Sequence, residues 1–174
     1  MNYFSILVVS FYFAFATLSC TENTLSSTKT KESYGFEDYL PIKLEEQTVY
    51  VQIADSNAER SKGLMDHTHL ETDHGMLFVF EFPQKVSFWM KNTEIPLDIG
   101  YFDENGRLLE IYKLYPFDET PKFSKSNAIK YALEMNQGWF QAHTIKSYDY
   151  IDLEAIEHFR KLQSDWRILV KCLC

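Results

Sequence analysis

The sequence is poor in cysteine and in basic residues, and each shortage excludes a class of protein. Its three cysteines, Cys20, Cys172 and Cys174, lie near the two ends of the chain and imply no disulfide framework. Lys and Arg number 17 against 25 Asp and Glu, which gives a formal net charge of -8. Because phosphate backbones demand a basic protein face, we expect no nucleic-acid partner.

Common catalytic and cofactor motifs are also missing. The chain has no P-loop, no GxGxxG, no CxxC and no HExxH, which removes the commonest nucleotide, redox and zinc-protease interpretations. Ser87 and Thr93 have no histidine near them in the sequence, so no activated nucleophile is apparent. We therefore expect no cofactor and favour a role without catalysis.

The longest apolar run lies at the N-terminus and is shorter than a bilayer span. Residues 4–16 are almost wholly apolar, whereas a spanning helix needs about 20 residues. The run has the length of a secretory h-region. The pair Ser19-Cys20 predicts a lipoprotein in which Cys20 is acylated, so that the exported protein is anchored to a membrane in the periplasm or at the cell surface. The alternative is simple secretion after cleavage at Ala16.

Composition divides the chain into four predicted segments. Residues 1–20 form a signal peptide of the lipoprotein type, and residues 21–46 form a flexible tether. The start of this tether is rich in Ser, Thr, Lys and Glu and cannot bury enough surface to offset its ordering entropy. Residues 47–153 form the folded domain, and residues 154–174 form a C-terminal helical extension.

The folded domain is predicted to be mainly β with short helices (α+β). Ser56 and Glu59 fit a capping box that begins a helix, and Asn105-Gly106 predicts a tight hairpin turn. Pro83 predicts a reversal between two central strands. Strands are expected at residues 48–53, 75–80, 86–90, 97–102, 108–112, 130–135 and 148–153, and short helices at 138–143 and 154–163. Short, regularly spaced strands predict a compact antiparallel domain that closes like a β-barrel.

Several motifs, in this order, resemble a family of small bacterial and archaeal proteins called domain of unknown function 192. The resemblance runs from about Val49 to Asp149. It implies a compact barrel-like domain with short helices, often behind a signal peptide, and no established reaction. The motifs are Arg60 with Gly63-Leu64-Met65, then Gly75-Met76-Leu77-Phe78 with Phe80, then Phe88-Trp89-Met90-Lys91-Asn92-Thr93 with Ile95-Pro96-Leu97-Asp98, and finally Tyr131-Ala132-Leu133-Glu134 with Gly138.

Polar residues around the stretch FWMKNTEIPLD suggest a shallow ligand pocket. Trp89 would form its apolar wall, Lys91 and Arg60 its cationic contacts, and Asn92 a two-way hydrogen bonder beside Asp98. Such a pocket would suit an anionic or hydroxylated small ligand, such as a sugar or a carboxylate. The alternative is structural: Asn92 closes a turn, and Asp98 pairs with Lys91 or Arg60.

Two carboxylates form a weaker catalytic candidate. Asp98 and Glu134 could support hydrolysis if their separation suited it. Glu134 sits in the middle of a predicted strand, where it either faces solvent or pairs with Arg60.

The loop DHTHLETDH contains His67, His69 and His74, which could together reach one metal ion. A solvated polar loop is the simpler interpretation, and no metal is expected.

The leading hypothesis is a membrane-tethered envelope domain that binds a small molecule or an envelope protein without catalysis. Its alternatives are a hydrolase and a structural or assembly module of the envelope.

Overall fold

The structure, a computed structural model, describes residues 36–162. The predicted signal peptide, the acylation at Cys20 and the alternative cleavage at Ala16 lie outside these residues, as does the tail that contains Cys172 and Cys174. No helix within 36–162 is both long enough and apolar enough to cross a membrane.

Most of the secondary structure belongs to one mixed sheet. Its strand order is β1-β2-β3-β8-β5-β6, with β2 and β3 parallel and the other neighbours antiparallel, while β4 and β7 form a separate two-stranded sheet. The elements are β1 (Leu40–Leu44), β2 (Gln47–Ala54), α1 (Asn57–Lys62), β3 (His74–Gln84), β4 (Ser87–Phe88), β5 (Leu97–Phe102), β6 (Leu108–Leu114), β7 (Lys122–Phe123), β8 (Ile129–Asn136), α2 (Trp139–Ala142) and α3 (residues 154–162). The prediction of a mainly β domain with short helices is confirmed.

The prediction of a closed barrel is wrong, because β1 and β6 are the two edges of an open sheet. The expected last strand at residues 148–153 forms only single bridges, Leu44 with Ile151 and Arg107 with Tyr150. This segment therefore touches both edge strands without a ladder that would join them. The sequence shows where strands occur, but pairing between distant strands decides whether a sheet closes.

Each face of the sheet carries its own hydrophobic cluster. On the face that we call the α3 face, Leu133 and Met135 pack with Ile156 and Phe159 of α3. The opposite face, which we call the α1 face, carries a cluster that includes Met76, Phe78, Ile99, Tyr101 and Ala132. Neighbouring residues on a strand alternate between these faces, as the pleat requires.

Local signals in the sequence are confirmed where they involve neighbours in the chain. The side chain of Ser56 accepts a hydrogen bond from the amide of Glu59, and Glu59 accepts one from the amide of Ser56, so the capping box forms. The Asn-Gly turn joins β5 to β6 as an antiparallel hairpin.

Two other predictions differ from the structure. Pro83 does not divide two central strands: β3 continues through it to Gln84, and β4 pairs with β7 instead. A proline is tolerated there because it lies at an exposed strand end. The first strand, Leu40–Leu44, lies inside the segment predicted as a tether, and its residues Ile42 and Leu44 are buried.

Candidate functional site

A cavity of about 420 Å³ lies on the α1 face, between α1 and the segment 84–93. Its apolar lining includes four aromatic rings, and its polar lining includes three cationic side chains and one carboxyl. These residues are Phe78, Phe80, Phe88 and Trp89, then Arg60, Lys62 and Lys85, then Glu134.

The two walls of the cavity are tied to each other by backbone hydrogen bonds. The amide of Asp66, just after α1, donates to the carbonyl of Asn92 over 2.9 Å. Asn92 adopts a left-handed φ of 52°, a conformation that asparagine tolerates better than most residues. The amide of Met90 donates to the carbonyl of Asp118 over 2.8 Å and holds the outer wall from behind. Asn92 thus contributes to the shape of the site through its backbone.

Arg60 fastens α1 to the sheet. Its guanidinium donates to the backbone carbonyls of Asp55 and of Val79, the latter over 2.8 Å, and to the side-chain oxygen of Asn57 over 2.6 Å. It also lies 5.6 Å from the ring centre of Phe80. The predicted ion pair of Arg60 with Asp98 or Glu134 is therefore wrong, since the guanidinium donates to backbone carbonyls instead.

Glu134 brings a carboxyl to the sheet side of the cavity. It lies on β8, opposite Met76 of β3 and Ile99 of β5. Its side chain is only 4% exposed, and neither a hydrogen bond nor an ion pair joins it to another residue of the described chain. Burial raises the pKa of this carboxyl to about 8. Glu134 is consequently a neutral acid at neutral pH, and it neither faces solvent nor pairs with Arg60.

Asp98 lies on the opposite face of the sheet from Glu134. In the ladder between β5 and β8, Asp98 stands opposite Met135 while Ile99 stands opposite Glu134, and adjacent strand residues point to opposite faces. The carboxylate of Asp98 accepts a hydrogen bond from the amide of Gly138 over 2.8 Å. The two carboxylates therefore share no cleft, and the arrangement that the hydrolase hypothesis requires does not form.

Asp98 lines a second, smaller cavity of about 280 Å³ on the α3 face, together with Lys113, Phe140 and Gln141. Burial raises the pKa of Asp98, while the hydrogen bond from Gly138 and the charge of Lys113 oppose this shift. This aspartate holds the turn before α2 and takes no part in the larger cavity.

Of the five predicted ligand contacts, Arg60 and Trp89 line the larger cavity, and Lys91, Asn92 and Asp98 do not. The indole of Trp89 is 47% exposed, and the ammonium group of Lys91 lies 5.5 Å from its ring centre, on the surface. Arg60 and Trp89 thus lie at a cavity, and contact of any of the five residues with a ligand stays a prediction.

Sequence reasoning missed the aromatic residues Phe80 and Phe88 of the cavity. Phe78 and Phe80 stand two residues apart on β3, a spacing that places both on one face and could have revealed them. Phe88 lacks such a signal, because its position depends on the pairing of β4 with the distant β7.

The three histidines of the loop have separate surroundings. His67 contacts a backbone carbonyl at 3.4 Å, His69 lies 3.4 Å from Glu71, and His74 packs against two tyrosine rings. Among residues 36–162, no group of three or more His, Cys, Asp or Glu side chains is placed to hold a metal ion.

Comparison with known proteins identifies the family. No curated protein shows significant similarity to the chain. A crystal structure of a protein of unknown function from Novosphingobium aromaticivorans is 32% identical, with a TM-score of 0.59, over 66% of this chain and 83% of its own. A candidate transcription regulator from Sinorhizobium meliloti is 28% identical, with a TM-score of 0.62, over 69% of this chain and 95% of its own. Residues 40–153 match the DUF192 family, which is described as uncharacterised, and the chain belongs to that family.

Proposed function

We propose that the domain binds a small ligand in the cavity on the α1 face and catalyses no reaction. The observation that carries this proposal is a cavity of about 420 Å³ with aromatic walls and a buried carboxyl that has no hydrogen-bond or ion-pair partner among residues 36–162. Small-molecule sites typically have volumes of about 300–1,000 Å³ and combine apolar walls with a few polar groups. The cavity meets both criteria.

The lining favours a ligand with an apolar body and a hydroxyl or anionic group. The rings of Phe80, Phe88 and Trp89 offer apolar contact area. The charged side chains that line the cavity from α1 and from segment 84–93 are cationic, among them Arg60 and Lys85. Their charge would attract an anionic group on the ligand and repel a cationic one.

Binding of ethylbenzene, benzyl alcohol and benzoate to the full-length chain tests the proposal. Ser61 and Ala58 are both exposed positions of α1, but only Ser61 lines the cavity. We expect amide chemical shifts around the cavity to change on binding, and we expect Ser61→Trp to abolish these changes while the matched control Ala58→Trp preserves them. Changes scattered over the surface, or equal binding by both variants, would show that the cavity is not the site.

A second candidate function, binding of a partner protein, is favoured by exposed rings beside the cavity. Trp89, Phe117 and Phe123 are 47%, 63% and 57% exposed. They lie on segments joined by hydrogen bonds, since Ser87 pairs with Phe123 and the amide of Phe117 donates to the carbonyl of Thr93. Exposed apolar patches mark interfaces.

A photo-crosslinking amino acid placed at residue 117 in cells tests the partner interaction. We expect one discrete adduct there and none with the same amino acid at Tyr50, an exposed ring on β2. Equal labelling at both positions would indicate nonspecific contact.

We further propose export and lipid anchoring at Cys20, supported by the apolar run that ends in Ser19-Cys20. Mass spectrometry of the native N-terminus should find an acylated Cys20, whereas an unmodified start at Thr17 would establish simple secretion instead.

Nucleic-acid binding is not part of the proposal. One structural relative is described as a candidate transcription regulator, but the net charge of -8 disfavours contact with phosphates.

A further inference from the structure

Among the described residues, the cavity contains one buried polar side chain whose hydrogen-bonding capacity the protein leaves unused. Glu134 is 4% exposed and lines the cavity, and within the described chain its side chain makes no hydrogen bond or ion pair. A buried polar group without a partner costs free energy, and native proteins satisfy nearly all such groups. A group of this kind that opens into a cavity is satisfied when a ligand or water fills the space.

We propose that Glu134 is the polar anchor of the ligand and that, as a neutral carboxylic acid, it donates a hydrogen bond to a carbonyl or similar acceptor oxygen at the buried end of that ligand. This inference rests on the proposed ligand-binding function and specifies the chemistry of the ligand. A protonated carboxyl has one O–H donor, whereas an ionised carboxylate can only accept.

The neighbours of Glu134 keep it neutral. The adjacent strands place Met76 and Ile99 opposite it, and neither can carry charge. Burial alone raises the pKa of Glu134 to about 8, with no contribution from a nearby cation. The acid form is therefore the main species up to about pH 8.

The other titratable and charged groups on this side of the sheet do not provide a second source of pH-dependent ligand binding. Arg60 and Lys62 face the cavity from α1, and Lys85 faces it from segment 84–93. From β5, the Tyr101 hydroxyl donates to the carbonyl of Lys122 over 2.9 Å, and burial raises its pKa. β3 lines the cavity with Phe78, Phe80 and Gln84, none of which titrates.

The cationic lining also argues against an amine at the buried end. An ammonium group in the cavity would be repelled by the positive charges of Arg60 and Lys85, while Lys62 is paired with Asp66. A neutral acceptor meets no such barrier, and an anionic group on the same ligand can remain near those cations. The inferred ligand thus has a neutral acceptor at its buried end and its hydroxyl or anionic group at the other.

Acetophenone and ethylbenzene form a matched pair of probes, since they have similar shapes and only acetophenone has an acceptor oxygen. We expect the affinity of the full-length chain for acetophenone to fall about tenfold between pH 7 and pH 9, as Glu134 ionises. Ethylbenzene should bind with no comparable loss. Chemical-shift titrations of both probes provide the dissociation constants.

Two substitutions of Glu134 complete the test. Glu134→Gln keeps an N–H donor, so it should bind acetophenone at pH 7 and lose the pH dependence. Glu134→Leu removes the donor, so it should bind acetophenone about tenfold more weakly and ethylbenzene at least as well as the wild type. Acetophenone affinity that rises with pH, or a pH dependence that survives in Glu134→Gln, would overturn the inference. If ethylbenzene binds but acetophenone gains nothing from Glu134, this inference alone fails; if neither probe binds, the proposed function fails with it.

Discussion

Glu134 is a carboxyl that the fold places where charge is costly, and its protonation should therefore control stability. Burial raises its pKa to about 8 in the folded state, above the ordinary value of 4.5. The folded state thus retains a proton that the unfolded state loses. The contribution of this proton to the free energy of unfolding is fully present below about pH 4.5. It declines as the pH rises towards 8, by about 1.4 kcal/mol per pH unit.

Urea denaturation of the wild type and Glu134→Gln at pH 5, 6.5 and 8 measures this contribution. The glutamine stays neutral, so the other titrating groups affect both proteins alike and the difference reports Glu134. We expect the free energy of unfolding of Glu134→Gln, relative to that of the wild type, to rise by several kcal/mol between pH 5 and 8. Parallel stability curves would mean that Glu134 keeps an ordinary pKa.

Arg60 and Lys91, both predicted from sequence as ligand contacts, should differ sharply in their effects on stability. Arg60→Ala removes hydrogen bonds to the carbonyls of Asp55 and Val79, and hydrogen bonds from charged groups contribute about 1.5–3 kcal/mol. We expect a loss of about 2–3 kcal/mol, less than for a broken buried ion pair, because no buried carboxylate is left unpaired. Lys91 is exposed, so Lys91→Ala should change the free energy of unfolding by less than about 0.5 kcal/mol. Equal denaturant midpoints for the two variants would contradict this assignment.

At the scale of elements, the contact between β3 and β8 requires a glycine at position 75. Gly75 stands opposite Met135, and a Cβ there would overlap the carbonyl oxygen of Glu134 and the sulfur of Met135. Because the oxygen belongs to the backbone, it cannot move without disturbing the ladder. Overpacking of this kind costs about 1–3 kcal/mol or more.

Gly75→Ala should therefore destabilise the protein more than Gly138→Ala. A Cβ at Gly138 meets nothing within 4 Å, although its φ of 89° makes any side chain strained. We expect the second substitution to cost about 1 kcal/mol. Thermal melting of both variants compares them, and a smaller effect at Gly75 would mean that β3 and β8 lie further apart than described.

The elements that the sequence predicts well are those fixed by near neighbours. The Ser56 cap and the hairpin at Asn105-Gly106 each depend on a few consecutive residues, and both form as predicted. The closed barrel and the reversal at Pro83 depended on which distant strands pair, and no local pattern contains that information. Strand β1 was missed because Ile42 and Leu44 lie close to a polar segment that resembles a tether.

In the candidate site, too, the features that depend on pairing between distant strands are the ones that the sequence does not predict. Arg60 and Trp89 were predicted to face a pocket, and both line the cavity. The separation of Asp98 from Glu134 by the sheet follows from the register of β5 against β8. Alternation within one strand cannot reveal it, because the register between strands sets which residues of β5 and β8 share a face.

At the scale of the whole molecule, the folded domain needs β1 in addition to residues 47–153, which the sequence predicts as the domain. Ile42 and Leu44 are 2% and 0% exposed and belong to the cluster on the α3 face. Burial of a large aliphatic side chain contributes about 1.5–3 kcal/mol. A chain that begins at residue 47 should therefore melt well below one that begins at residue 36. Equal melting temperatures for the two would show that β1 is dispensable.

The protonation of Glu134 in the presence and absence of a ligand tests the central claim most directly. The carboxyl ¹³C resonance of Glu134 can be followed by NMR from pH 4 to pH 10, with and without acetophenone. We expect it to titrate near pH 8 in the free protein and at a higher pH with acetophenone, because the bound acceptor stabilises the acid form. A titration near the ordinary value of about 4.5, or a midpoint that acetophenone leaves unchanged, would contradict the assignment of this cavity as a site that recognises its ligand through a neutral Glu134.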